Sequence, residues 1–153
     1  MRALELKIPP VVIVLLLAAA MFATARLAPA FGFHLPANRI IATGLAVSGV
    51  IVALLGVASF RRAGTTVNPL QPAAASQLVV SGIYRRTRNP MYLGMLLVLL
   101  GWGVFLGNGL AFIPAAAFIP LMNRLQIGPE ERILAATFGP AFTAYQSAVR
   151  RWL

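Results

Sequence analysis

The chain has no cysteine and no aspartate, one histidine (His34), and only three acidic residues, Glu5, Glu130 and Glu131, among 153. Each absence removes a class of chemistry. Without cysteine there are no disulfides, thiolate metal sites or thiol nucleophiles. A single histidine and no aspartate exclude most zinc sites, Ser-His-Asp triads and paired-aspartate acid–base sites. Charged residues make up 10% of the chain, against about 25% in an ordinary soluble domain. What fills the chain is apolar: 59% hydrophobic residues and a mean hydropathy of +0.84. That composition belongs to a membrane protein, and the length leaves room for one membrane-embedded domain over residues 1–153 and no separate soluble one. The formal net charge of +10 fits arginines at the ends of membrane spans better than a nucleic-acid surface.

Four apolar runs predict an all-α protein with four transmembrane helices, at about 8–25, 40–60, 91–106 and 110–125, the last two near the short limit for a span. Gly107-Asn108-Gly109 is a turn signal, so the last two should form a tight helical hairpin. Arg2 and Lys7 ahead of the first run would also suit a signal peptide. No clear small-x-small cleavage site follows in a soluble context, so the run reads as a retained span. Apart from Arg26 and Arg39, the basic residues lie in the N-terminal tail, in residues 61–90, and from the end of the fourth span onward. By the positive-inside rule both termini and the long middle segment face the cytoplasm. A multi-pass protein of a bacterial inner membrane is expected, an internal eukaryotic membrane being the alternative.

The middle segment is too long for a simple connector. Asn68-Pro69, Gln71-Pro72 and Ser81-Gly82 mark turns in it, Ala73 to Ala75 form a short alanine tract, and Leu78-Val79-Val80 forms an apolar patch suited to the membrane face. Gly128-Pro129-Glu130-Glu131 carries a helix-start signal, proline at a first helical position with glutamates in the first turn. Ile133, Leu134, Phe138, Phe142, Tyr145, Val149 and Trp152 then recur at roughly helical spacing, with Gly139-Pro140 between, predicting two short amphipathic C-terminal helices.

The basic stretch from Gly82 to Gly94 runs directly into the third span and holds Arg85, Arg86 and Arg88. Together with Glu130 and Glu131 it offers both signs of charge at one end of the bundle. Acid–base chemistry would have to use Glu130, Glu131 or a tyrosine. Methyl transfer from a sulfonium asks less: the leaving group departs neutral and the main demand is in-line alignment. A donor of that kind carries an ammonium and a carboxylate. Carboxylate side chains suit the first, and an arginine or backbone N–H groups suit the second.

Gly82-Ile83-Tyr84-Arg85, Arg88-Asn89-Pro90-Met91-Tyr92-Leu93-Gly94, Glu130-Glu131, Phe138-Gly139 and Arg150-Arg151-Trp152 together resemble the isoprenylcysteine carboxyl methyltransferase family, which belongs with the integral-membrane phospholipid methyltransferases. The resemblance covers residues 64–153. It implies S-adenosylmethionine as cofactor, wrapped at the cytosolic face by the middle segment, the start of the third span and the segment after the fourth. It also implies a membrane lipid, or a lipidated or amphipathic small molecule, as acceptor, entering sideways from the bilayer. Carried over by residue, it implies cofactor contacts from Ser76, Gln77, Leu78 and Val79, from Tyr84, from Arg88, Asn89, Pro90, Met91 and Tyr92, and from Glu130. Arg124 and Glu131 would serve at the reaction centre, and Arg124 and Gln126 would meet the acceptor. No metal is implied. Two positions depart from the family's eukaryotic members. Asn89 stands where they have histidine, and Gln126 where they place an arginine for the acceptor.

Arg85 and Arg86 read as orientation charges, Pro114 and Pro120 as kinks in the fourth helix, and Gly94, Gly101 and Gly103 as close-packing positions. The acceptor atom stays open among oxygen, nitrogen and sulfur. A phospholipid amine N-methyltransferase is the nearest alternative enzyme, and one that needs a base. A non-catalytic scaffold that retains the fold is the alternative of another class.

Overall fold

A computed structural model describes residues 4–65 and 76–153, so the Asn68-Pro69 and Gln71-Pro72 turns and the Ala73–75 tract lie outside the described residues. Among the described residues the regular structure is all helical, apart from one isolated antiparallel bridge between Gly32 and Asn108. Helix α1 spans Pro10–Leu27 and α2 spans Asn38–Arg62. Helix α3 spans Pro90–Leu106 and α4 spans Phe112–Met122. Helices α5, Gly128–Phe138, and α6, Pro140–Ala148, complete the chain. Helices α1, α3 and α6 each begin on a proline, where its fixed φ suits the helix and its missing N–H would have no intrahelical acceptor.

Three helical stretches are long and apolar enough to cross a membrane: Pro10–Leu27, Asn38–Arg62 and the 30-residue run Gly109–Phe138. This is the pattern of a multi-pass membrane protein. Helix α3, the expected third span, is a shorter apolar helix of 17 residues, about 25 Å long. Its outward surface and those of α1 and α2 invert the soluble rule. Leu15 and Leu16 are 65% exposed and Ile40 is 75% exposed, side chains that only a lipid solvent accommodates without cost.

Helices α2 and α3 approach closely along a seam of small residues. A Cβ added at Gly94 would lie 2.4 Å from the Gly49 carbonyl oxygen, and one at Gly101 would lie 2.7 Å from that of Ala42. In lipid, helix pairs are held by such contact rather than by hydrophobic exclusion. On the other side of α3, Met21, Leu99, Ala115, Phe118, Met122 and Ile127 form the buried core. Trp102 is tied to α1 by its indole N–H, 3.1 Å from the Ala18 carbonyl. The hairpin turn falls where glycine and asparagine foretell it. Gly107 takes φ +60° and closes α3, and Asn108 accepts from the Leu110 N–H.

Two expectations are corrected. Gly128-Pro129 opens α5 as expected, with Glu130 and Glu131 in the first turn, but it does not open a separate helix: Ile127 and Gly128 already have helical backbone angles, and α5 continues the fourth span. Pro129 instead imposes a π-turn over Asn123–Ile127, closed by Gly128 N–H to Asn123 O. In a regular α-helix the Pro129 ring would collide with the Leu125 carbonyl and leave it without a donor. Here that carbonyl accepts from the Leu6 N–H at 2.9 Å. The second correction concerns Leu78-Val79-Val80. Val79 is buried, and Leu78 and Val79 face a cavity inside the protein rather than a membrane surface.

Candidate functional site at the entrance of the third span

The site begins with a local problem at the start of α3. Residues 87–89 lead into Pro90 and present a run of donors. The end of α6, like any helix end, leaves carbonyls without intrahelical partners. The two meet. Arg88 Nη1 donates to Gln146 O at 2.9 Å and to Val149 O at 2.5 Å, and the Arg88 backbone N–H donates to Arg150 O at 3.0 Å. Asn89 Nδ2 donates to Arg151 O at 2.9 Å, and Thr87 Oγ1 to the same carbonyl at 3.3 Å.

Glu131, on α5, joins these pieces electrostatically. Arg88 Nη2 lies 2.8 Å from Glu131 Oε1, and Arg151 Nη2 lies 2.5 Å from Glu131 Oε2. The side chains of Arg88 and Glu131 are only 12% and 13% exposed, so the carboxylate is held between two guanidiniums with little water to screen it. Glu130, one residue earlier, turns toward α3, where the Tyr92 hydroxyl donates to its Oε1. Tyr145, on α6, donates to the Tyr84 carbonyl oxygen at 2.8 Å and so ties α6 to the Gly82–Arg85 turn.

Between these elements lies a cavity of about 480 Å³, counted out to its open mouth. It is lined by Gln77, Leu78, Val79, Tyr84, Arg88, Asn89 and Glu131, and by Phe60, Leu134, Phe142 and Tyr145. Burial pushes the Tyr84 phenol well above its ordinary range, with Tyr145 and Glu130 adding to the effect. Burial does the same to Tyr145. Both phenols are therefore neutral donors near neutral pH, not bases.

Seven of the sequence-predicted site residues thus meet in one cavity wall. The others lie apart from it. Ser76 is exposed, its N–H bound by Thr65 Oγ1. Pro90 and Met91 pack near Gly56 of α2. Tyr92 and Glu130 pair with each other and are not among the residues that line the cavity. Arg124, expected on the last turn of the fourth span, lies exposed on the π-turn. Gln126 is fully buried and donates to Ile8 O at 2.6 Å, so its amide nitrogen is engaged by the N-terminal segment. Sequence reasoning passed over Phe60, Phe142 and Tyr145, whose spacing reads as ordinary apolar helix face, and Thr87 and Arg151, which acquire meaning only through backbone partners distant in sequence.

The donor set can be counted. Of the five Arg88 N–H groups, both on Nη1 and one on Nη2 are engaged; the second Nη2 hydrogen is left, while Nε is buried with no partner. Asn89 gives its amide nitrogen to the terminal segment, so its Oδ1 is the end left to meet a ligand. An unsatisfied cationic donor next to a free amide acceptor is complementary to an α-amino acid group with its carboxylate and ammonium. The aromatic side chains of Phe60, Tyr84, Phe142 and Tyr145 suit a purine. These residues fit S-adenosylmethionine in chemical kind.

Residues 37–141 match the phospholipid methyltransferase family. The chain belongs to the phospholipid methyltransferase family. Members of that family, which includes isoprenylcysteine carboxyl methyltransferase-like proteins, are S-adenosylmethionine-dependent methyltransferases. The chain is also similar to an uncharacterized protein of Haemophilus influenzae, 46% identical over 63 residues, covering 41% of this chain and all of that one. No solved structure matches. The family match includes α2, α3, the π-turn and α5, and ends just inside α6.

Proposed function

We propose that the protein is a membrane-embedded S-adenosylmethionine-dependent methyltransferase of residues 1–153, with its cofactor region at residues 64–153, acting on a lipid-like or amphipathic acceptor. The observation that carries this reading is the convergence of Tyr84, Arg88, Asn89 and Glu131 on one aromatic-walled cavity within a chain of this family. When bound, the cofactor supplies an electrophilic methyl group on a sulfonium, leaving as a neutral thioether.

The protein's part is to bind and align. Arg88 receives the cofactor carboxylate through the Nη2 hydrogen that Glu131 does not take. Asn89 Oδ1 accepts from the ammonium. Unlike the histidine of the eukaryotic relatives, it cannot change charge near neutral pH. Gln77, Leu78 and Val79 close one side, with Ser76 at their exposed end, and the aromatic residues hold the base. Glu130 acts through Oε2, its Oε1 being engaged by Tyr92, with Pro90 and Met91 fixing the start of α3 beside it. Glu131, between its two arginines, orders the wall. Arg124, exposed on the π-turn, and Gln126 beside it are assigned to the acceptor side, reached from the bilayer. Both termini and the cavity lie on the cytoplasmic side of a bacterial inner membrane.

Within the class, resemblance to the isoprenylcysteine enzymes favours a carboxylate acceptor, which requires no base. The family's phospholipid members make a phospholipid amine the second reading. For an amine acceptor a proton must leave before attack, and with Glu131 engaged and the phenols of Tyr84 and Tyr145 neutral, Glu130 Oε2 is the group left to take it.

The test is direct. Detergent-purified protein is titrated with S-adenosylmethionine, then incubated with the labelled cofactor and a total lipid extract, and the labelled product is identified. The expected result is saturable binding, weakened about tenfold or more in Glu130→Gln, a loss typical of one charged hydrogen bond. No binding by the parent, or equal affinity in the variant, would sink the site; binding without a methylated product would favour the non-catalytic scaffold.

A further inference from the structure

The family match ends at residue 141, yet much of what shapes the cavity wall comes from the chain beyond it. Helix α6 stops at Ala148, and residues 149–152 continue without regular structure past the start of α3. The carbonyls of Val149, Arg150 and Arg151 all accept from Arg88 or Asn89. These bonds decide which polar atoms of the wall remain for a ligand. They occupy Arg88 Nη1 and one hydrogen of Asn89 Nδ2, and thereby leave the second Arg88 Nη2 hydrogen and Asn89 Oδ1.

A short stretch outside any helix holds no such position by its own propensity and needs contacts to fix it. Two side chains tie this one. The Trp152 indole N–H donates to Asn123 Oδ1 on the π-turn at 3.1 Å. Arg151 grips both oxygens of Glu131, Nε to Oε1 at 3.2 Å and Nη2 to Oε2 at 2.5 Å. A planar fork meets a carboxylate in this way, and a lysine ammonium does not.

We propose that Arg151 is a positioning residue of the cofactor cavity: by clamping Glu131 it seats the terminal segment, whose carbonyls set Arg88 and Asn89 for the ligand. The inference rests on the methyltransferase reading above. Arg151 acts through other groups, and its role is to fix which donor and which acceptor the wall presents.

The experiment uses the full-length protein in detergent. S-adenosylmethionine affinity is measured by calorimetry for the parent, Arg151→Ala, Arg151→Lys and Arg86→Ala, together with the thermal unfolding midpoint of each without cofactor. Arg86→Ala removes an exposed positive charge two residues before Arg88 and leaves the Glu131 ion pairs untouched. The expected result is a loss of tenfold or more in Arg151→Ala, a smaller several-fold loss in Arg151→Lys, and no change in Arg86→Ala. If Arg151→Ala does not fold, the lysine variant, which keeps the charge and loses the fork, decides the matter. Unchanged affinity in Arg151→Lys together with unchanged affinity in any folded Arg151→Ala overturns the inference, even if the midpoint falls, because that is a purely structural role. An equal loss in Arg86→Ala overturns it as well, since general charge would then be the cause. Absence of binding in the parent is a different failure: it removes the methyltransferase reading and this inference with it.

Discussion

Adjacent glutamates on one helix take different partners because successive helical residues point about 100° apart. Glu130 meets the Tyr92 hydroxyl, and Glu131 meets two arginines. Tyr92 is 6% exposed, so its bond to Glu130 is made where water cannot replace it. Tyr92→Phe removes the donor and leaves the Glu130 carboxyl short of a partner. A loss of about 1–3 kcal/mol is expected, read as a lowered unfolding midpoint in detergent, with cofactor affinity falling alongside. An unchanged midpoint would mean that the bond does not hold α3 to α5.

At the scale of elements, the α2–α3 seam and the π-turn do most to place the cavity. The seam positions Phe60, near the end of α2, against Tyr84, with ring centroids 5.3 Å apart. Gly94→Ala would push a methyl group into the backbone of α2 and is expected to cost about 1–3 kcal/mol through overpacking. Gly44→Ala is the control on the same helix pair. A Cβ there meets nothing within 4 Å, so the change should be neutral or stabilising by up to about 1 kcal/mol. Unfolding midpoints of the two variants compared in one detergent check this, and equal effects would contradict the seam. The π-turn acts differently. By freeing the Leu125 carbonyl it creates an acceptor that the N-terminal segment fills through Leu6. Gln126 and the Arg132–Glu5 ion pair fasten the same segment.

For the molecule as a whole, both chain ends converge on that turn, Leu6 and Ile8 from one side and Trp152 from the other. The native chain has no cysteine, so single cysteines report topology without background. Ser147→Cys on α6 and His34→Cys between α1 and α2 are both at exposed positions. A membrane-impermeant thiol reagent is expected to label Ser147→Cys only from the cytoplasmic side and His34→Cys only from the opposite side. Labelling of both from one side would overturn the arrangement read from the arginine distribution.

Much of this was legible in the chain itself. Hydropathy alone located the apolar helices, because a lipid solvent demands long apolar runs and tolerates few charges. Gly107-Asn108-Gly109 announced its turn through glycine's access to positive φ. The scarcity of acids drew attention to Glu130 and Glu131, and the basic stretch before Pro90 drew it to Arg88 and Asn89. Pro129 told only part: it marked the start of α5, but a proline that opens a separate helix and one that follows a π-turn in a continuous helix look alike in sequence and differ only in whether the preceding turn is already helical. The division of labour between the two glutamates, the engagement of Gln126 by Ile8 and the part played by Arg151 were not legible, since each depends on backbone groups far away in sequence. Sequence by itself determined that this is a helical membrane protein with a polar, two-signed cluster at one end, because solvent and periodicity act locally. Only the tertiary structure decided which polar atoms of that cluster are already engaged and which are left for a ligand, because hydrogen bonds are allotted by contact in space.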